Sequence, residues 1–393
     1  MVAFLVVVGI VVRAGAAQWI PWDHLPDARN YESYARNLAT GGGYRDDEGR
    51  FARRPPVYPV VLSFVYMLAG TKPEVARGIQ IVLSAAVGVG ILYMGTRLLG
   101  ARPAWFGFFL WEFYPPAVYF SLVLVSETLF VGLLVALLAV GVWSLQRTWA
   151  KAGVAVGGVW GLLVHTRPIA IFVASVLAPL WWRSGWGARK IALALTAGTV
   201  VLVLGTASWG VRNQTRLGAF VPFTTHGGYD LWVSHHPVAD GRGVYPELSP
   251  FVVEADRKLS GELERDRFFV EAFWANLKDD PWQSVRLVPM KLWWLLKPWA
   301  ETGGWMKAVG IFSDSVILPL AVAGAFVARR QPGGRVLLWT TVYVLAVHAV
   351  IGYGSFRFRF TAAPAYLLLA AVPLASVYER VAARRGRSGP TEN

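Results

Sequence analysis

Residues 2–38 read VAFLVVVGIVVRAGAAQWIPWDHLPDARNYESYARNL. An apolar run carrying a single cation, Arg13, gives way at Pro26 to a polar stretch with Asp27 at its start. Tyr31, Tyr34, Ala35 and Leu38 recur at helical spacing, so Pro26 to Leu38 reads as a short amphipathic helix lying on a membrane surface. The run Val2 to Val12, followed by Ala14-Gly15-Ala16-Ala17, faintly resembles a signal peptide. It lacks a basic n-region, and the polytopic body behind it argues for a retained first helix over Val2 to Ile20. Arg13 is expected to snorkel or to pair inside the bundle.

The rest of the 393-residue chain repeats this alternation: it is 55% hydrophobic, with a mean hydropathy of +0.44. Apolar runs of about 18 residues or more are membrane-span candidates. In hydrocarbon only helices and closed barrels satisfy the backbone, and these runs lack the period-2 alternation of barrel strands. The fold class is therefore an all-α polytopic membrane protein. Nineteen tryptophans suit interfacial belts.

The net charge of +14 does not point to nucleic acid. The basic residues collect in short loops, at Arg97/Arg102, Arg147/Lys151, Arg183/Arg189/Lys190, Arg329/Arg330/Arg335 and Arg380 to Arg387. By the positive-inside rule those loops are cytoplasmic. The long loop from Val211 to Trp282 is more acidic than basic and belongs outside. With no cysteine, it must hold together without disulfides.

The first external loop runs from Pro21 to about Val75, with a turn at Gly41 to Gly43. Pro55, Pro56 and Pro59 make its apolar end a poor span, so Val60 to Gly70 reads as a second surface or half-inserted helix. Crossings follow at about 78–98, 104–123 (broken near Pro115-Pro116), 127–144, 152–164, 168–182 and 191–209. Three more follow at about 309–328, 336–351 and 360–377. That makes about ten crossings with both termini cytoplasmic. Val285 to Trp305 then reads as interfacial or re-entrant by parity. In the loop 211–282, Pro250 to Leu277 reads as amphipathic helix. The organisation is a transmembrane module, 1–210, with its external loop 21–77; an external subdomain, 211–282; and C-terminal helices with a basic tail, 283–393.

Topology sorts the polar residues. Asp27, Glu127, Arg167, Arg212, Arg357 and Arg359 all fall at the external ends of helices. Ionisable groups at membrane depth are costly, so each is a functional candidate. Each also has a structural reading. Glu127 favours a helix dipole, Asp27 caps the surface helix, and the arginines anchor at the interface or on lipid headgroups. Glu112 lies nearer mid-helix and reads as a buried structural acid. The stretch Gly227 to Pro237 (GGYDLWVSHHP) reads equally as a sugar-binding surface through Tyr229 or as a structural cap. His226, His235 and His236 make a poor zinc set, because adjacent histidines rarely face one ion.

Six motifs occur in order: Asp27-x-x-x-Tyr31-x-x-x-Ala35-x-x-Leu38, Pro56-x-Tyr58-Pro59, Ser126-Glu127-Thr128-Leu129, Thr166-Arg167-Pro168, Arg212-Asn213 with Gly227-Gly228-Tyr229-x-Leu231-Trp232, and Arg357-Phe358-Arg359-Phe360. Together they resemble the GT-C fold glycosyltransferases, and within them the bacterial dolichyl-phosphate-mannose protein mannosyltransferase-like and aminoarabinose transferase-like enzymes. That family usually has Arg-Tyr-Arg at 357–359 and often Asn-Asn-Pro at 235–237. The resemblance implies inverting transfer of a sugar from a polyprenyl-phosphate donor to a glycolipid, cell-wall glycan or protein acceptor. It implies a bacterial plasma-membrane location with the site facing outside. Asp27 would be the general base. Arg357, Arg359 and Arg167 would stabilise the leaving phosphate. Glu127 would hold sugar or acceptor, and Arg54, Tyr58, Arg212, Tyr229 and Lys291 would line the cavity. No metal or other cofactor is expected. Two other readings stand beside it: a transporter or flippase of lipid-linked sugars, and a non-catalytic polyprenyl-lipid-binding protein.

Overall fold

A computed structural model describes residues 1–243, 245, 248–259, 261–298 and 304–387. Helix α1 (Val2–Ala16) leads into α2 (Pro26–Ala39) and α3 (Val57–Ala69). Next come α4 (Pro73–Leu99), α5 (Ala101–Phe113), α6 (Pro115–Leu122), α7 (Glu127–Trp143) and α8 (Trp149–Val164). A short α9 (Ala178–Arg183) precedes the long α10 (Ala188–Leu217). Then follow α11 (Gly227–His235), α12 (Ser249–Lys258), α13 (Glu262–Asp279) and α14 (Gln283–Leu296). The chain closes with α15 (Gly304–Ala328), α16 (Pro332–Val350), one-turn α17 (Phe356–Phe360) and α18 (Ala363–Arg387). Among the described residues there is no strand.

Six of these helices (α4, α7, α10, α15, α16 and α18) are long and apolar enough to cross a membrane, and α1, α3 and α8 are shorter apolar helices. The protein is an all-α polytopic membrane protein. Several expected elements differ in detail. The third crossing is broken as its prolines demand: α5 ends at Phe113, Tyr114 is extended, and Pro115 starts α6. The expected helix at 168–182 is mostly not α-helical. Pro168–Ala170 and Val173–Leu177 are 3₁₀ turns, and only Ala178–Arg183 is α. Pro168 and Pro179 each remove a backbone donor there. Helix α3 begins at Val57 because Pro59 falls in its first turn, where a missing N–H costs nothing. Helix α10 passes the expected end at Trp209, so Arg212 and Asn213 lie within it rather than after it. The amphipathic stretch 250–277 is two helices, with Gly261 as the N-cap of the second. Of the ambiguous segment Val285 to Trp305, the first part is α14 and residues 299–303 lie outside the described residues.

Helix packing uses small residues. A Cβ on Gly157 of α8 would stand 2.6 Å from the Gly198 carbonyl oxygen of α10, so these helices touch backbone to backbone. At membrane depth Arg13 is fully buried and paired with Glu112 at 3.0 Å. Its Nε also donates to Ser84 Oγ at 3.2 Å. The charge that looked costly in the first apolar run is thus neutralised inside the bundle.

The basic turns share one end of the bundle. Arg102 reaches Glu379 of α18 at 2.5 Å. Arg335 Nε donates to the Arg329 carbonyl at 2.7 Å, and Arg183 and Arg335 line one cleft. At the opposite end α11, α12 and α13 build a small cap around Trp232, Tyr245 and Phe269, with Leu287 of α14 in the same core. Glu262 of α13 fastens the cap to the first loop: it accepts from the Ala52 amide at 3.1 Å and the Thr225 hydroxyl at 2.6 Å.

Candidate active site

Under the cap, four chain segments bring charge to one point. Leu25 is the N-cap of α2 and Pro26 fills its first position, which places Asp27 in the first turn. Asp27 Oδ1 accepts from Arg54 Nη2 at 2.5 Å, and Oδ2 from Arg357 Nη1 at 2.7 Å. Arg357 also donates through Nε to Glu127 Oε1. The same Glu127 oxygen accepts from Arg167 Nη1 at 2.6 Å. Arg357 therefore bridges two acids whose sequence positions lie far apart.

Each arginine is held from behind. Arg54 Nε donates to Asn30 Oδ1 at 2.6 Å and its guanidinium lies 5.1 Å over the Tyr31 ring. Tyr31 packs edge-on against Tyr58 at 5.1 Å, and the buried Tyr58 hydroxyl donates to Gln80 at 2.8 Å. Arg167 lies 5.1 Å over Phe358. The Arg357 amide donates to Ser355 Oγ at 3.1 Å, which caps α17. Water reaches the cluster: the Asp27 side chain is 28% exposed and that of Arg357 17%, while Glu127 is fully buried. Glu127 Oε2 has no partner among the described residues.

Electrostatics follow the geometry. Burial alone would raise the Asp27 carboxyl, but Arg54 and then Arg357 outweigh it and hold it well below the usual range. Asp230 of α11 lies within electrostatic reach of Arg54, Asp27, Arg167 and Arg357. The surrounding protein pushes its carboxyl up to about 7, with Arg54 opposing and Asp27 adding. Half of its side chain (53%) still reaches water, which moderates that rise. Burial, then Arg54, drive the His226 imidazole down to about 3, so it is neutral there.

The structure brings Asp27, Arg54, Glu127, Arg167 and Arg357 together, with Tyr58 one layer behind. It does not bring Arg359 to them. Residues two apart on a helix face opposite ways, and Arg359 points to the dry side of α17. There it pairs with Asp314 of α15 and donates to the Leu295 and Lys297 carbonyls at 2.8 Å each. Arg212 donates to the Phe51 and Tyr44 carbonyls at 2.7 Å each, away from the cluster. Tyr229 packs in the cap against Phe269 and His226. Lys291 is buried 3.4 Å from His235 Nε2. Sequence reading missed Asn30 and the place of Asp230. Asn30 is one turn after Asp27, a spacing that could have found it. Asp230 stands in the Gly227-Gly228-Tyr229 motif, but nothing local ties it to a residue some 200 positions earlier.

Asp27 and Glu127 are each committed to guanidinium groups, and among the described residues no three His, Cys, Asp or Glu side chains gather as a metal site needs. His235 is engaged by Ser284 at 2.8 Å, while His226 stacks on Tyr229.

No protein-family model matches the chain, and no curated protein sequence matches it. Solved structures do. The archaeal oligosaccharyltransferase AglB from Archaeoglobus fulgidus, in complex with an inhibitory peptide and a dolichol-phosphate, is 12% identical with a TM-score of 0.58. The match covers 100% of this chain and 52% of that one. The apo form of the Archaeoglobus fulgidus oligosaccharyltransferase is 16% identical, with a TM-score of 0.59 and coverage of 98% and 51%. The fold is GT-C-like. This chain spans about half the length of those oligosaccharyltransferases. ArnT from Cupriavidus metallidurans bound to undecaprenyl phosphate is a weaker likeness, 17% identical with a TM-score of 0.46 over 100% and 81%.

Proposed function

We propose that this chain is a membrane glycosyltransferase that moves a sugar from a polyprenyl-phosphate donor to an acceptor hydroxyl, with inversion. The observation that carries the reading is Arg357 bridging Asp27, which is partly open to water, and the buried Glu127. The cluster lies opposite the basic turns, so the reaction faces the outside of a bacterial plasma membrane and the termini face the cytoplasm.

The chemistry explains the bridge. With two arginines on it, Asp27 is a weak base. A guanidinium about 4 Å away is worth about 4 kcal/mol at an effective dielectric near 20. When the donor phosphate takes Arg357, that stabilisation leaves Asp27 and its basicity recovers. Asp27 then accepts the proton of the attacking hydroxyl while oxygen bonds to the anomeric carbon. The bond from that carbon to the phosphate oxygen breaks through an oxocarbenium-like transition state. The charge gained by the departing polyprenyl phosphate falls to Arg357, with Arg167 beside it. Glu127 Oε2, buried and without a partner among the described residues, receives a sugar hydroxyl.

The test is sugar transfer by purified protein in nanodiscs, with a panel of polyprenyl-phosphate sugars and membrane extract as acceptor. Transfer by wild type that is lost in a folded Asp27→Asn variant supports the reading. Equal transfer by both overturns the role of Asp27. Donor flipping without transfer favours the transporter reading.

A further inference from the structure

A recess of about 410 Å³ lies behind the Asp27 cluster, lined in part by Gly43, Tyr44, Arg45, Phe51, Arg212 and Arg216. That is the size of a small-ligand pocket, roughly 300–1,000 Å³. Three guanidinium groups meet there from two elements, the first external loop and the last turns of α10. Glu262 lies within electrostatic reach of Arg212 but pairs directly with none of the three. Arg212 spends its donors on the Phe51 and Tyr44 carbonyls and on Asn213 Oδ1 at 2.8 Å. Among the described residues no ion pair joins Arg45, Arg212 or Arg216 to a carboxylate. The acids nearby are engaged elsewhere: Asp47 with Arg36, Asp46 with Asn30, and Glu262 with the Ala52 amide. Arg216 is near enough to Arg212 to repel it.

The pocket is also preorganised. The Arg212 guanidinium lies 4.8 Å from the Trp209 ring, 5.3 Å from Tyr44 and 5.8 Å from Phe51. Gly43 turns the loop at φ +79°, a backbone that side chains disfavour. Arg212 is fixed, while Arg45 and Arg216 are exposed, and such guanidinium groups match an oxyanion through forked hydrogen bonds. One layer separates it from the first site. The Tyr44 hydroxyl donates to the Arg54 carbonyl at 2.9 Å, and Arg54 holds Asp27.

We propose that this pocket binds the phosphate or carboxylate of an anionic acceptor glycan, with Arg45 and Arg216 as its ligands and Arg212 as the fixed positive charge behind them. Its role as an acceptor site rests on the transfer reading above; the anion site rests on the three arginines. The probe is glucose 6-phosphate, titrated calorimetrically into the full chain in phosphatidylcholine nanodiscs, with glucose as the neutral control. The expected result is binding of the phosphate alone. Arg45→Gln combined with Arg216→Gln should weaken Kd at least tenfold with the melting temperature unchanged. The Asp27→Asn variant should bind as wild type does. No binding, or binding indifferent to the double substitution, overturns the proposal. So does failure in phosphatidylcholine together with retention of phosphatidylglycerol that the double substitution abolishes, since the site then holds a lipid headgroup. Probe binding by a protein that transfers no sugar would keep the anion site and remove the transfer reading. Transfer to an uncharged acceptor without probe binding would do the reverse.

Discussion

The two faces of α17 carry opposite kinds of charge network. On one, Arg357 joins Asp27 and Glu127, with Arg54 and Arg167 beside them, and the Asp27, Arg54, Arg167 and Arg357 side chains are 12–28% exposed. On the other, Arg359 and Asp314 are 2% and 0% exposed. Tyr114 donates to Asp314 at 2.6 Å and lies 3.0 Å from the Tyr366 hydroxyl, while two backbone carbonyls accept from Arg359 Nη1 and Arg359 Nε is without a hydrogen-bond partner among the described residues. The dry face ties α14, α15, α17 and α18 into one block, and its groups have no other partner to turn to. The wet face has arginines whose partners are acids that water and a charged ligand can compete for. Rigidity on one side of a single turn positions the exchangeable charges on the other.

The sharpest break between the faces comes from charge removal. Asp27→Asn, measured by donor turnover, should lower transfer by about 10²–10⁴, the usual weight of a general base. Its melting temperature should fall less than that of Arg359→Ala. Arg359→Ala should do the opposite. Removing one partner of a buried pair costs about 3–5 kcal/mol, read as lost monodisperse protein or a lowered melting temperature in detergent. Replacing both Arg359 and Asp314 by apolar residues of similar volume should restore most of that stability. If Arg359→Ala folds normally and loses only turnover, the division between the faces fails.

This division was only half legible in the sequence. Helical class, the proline break at Tyr114 and the clustering of Asp27, Glu127, Arg167 and Arg357 follow from hydropathy, proline chemistry and membrane sidedness, all local signals. Arg357 and Arg359 look alike in a sequence read only for which side of the membrane a residue occupies. Their separation follows from α17 being helical, since a turn of helix sends residues two apart to opposite faces. Arg212 was misplaced for a related reason. The helix carrying it does not stop at Trp209: it runs through Gly210, and Gly218 is its first residue to take a left-handed φ, at +74°. Asp314 sits mid-span in α15 and reads as an isolated acid until its partner, on a different helix, is known.

A smaller effect tests how the wet face is supported. Tyr58 gives its hydrogen bond to Gln80 and braces Tyr31, over which Arg54 lies. Tyr58→Phe removes its hydrogen bond to Gln80 and leaves the Gln80 oxygen short of a donor. The expected loss is about 1 kcal/mol of stability, with turnover falling less than it does in Asp27→Asn. A fall in turnover as large as that of Asp27→Asn would place Tyr58 in contact with substrate.

The smallest effect concerns Asp230 and the sign of its pH dependence. Its folded-state carboxyl is raised from 3.8 to about 7. A raised group contributes stability that is fully present below its unfolded value and is lost as pH rises through the folded one. Between about pH 4 and 7 the unfolded chain releases the proton and the folded chain holds it, so stability falls across that window. Asp27, whose carboxyl is depressed, acts in the other direction: its contribution is present above its unfolded value of 3.8 and lost only in stronger acid. Because 53% of the Asp230 side chain reaches water, its effect should stay below about 1 kcal/mol. Melting temperature against pH should therefore decline slightly from 4 to 7 in wild type and more shallowly in Asp230→Asn. A steeper decline in the variant would mean that the Asp230 carboxylate is stabilised by Arg54 rather than opposed by burial, and would make it a third working acid of the wet face.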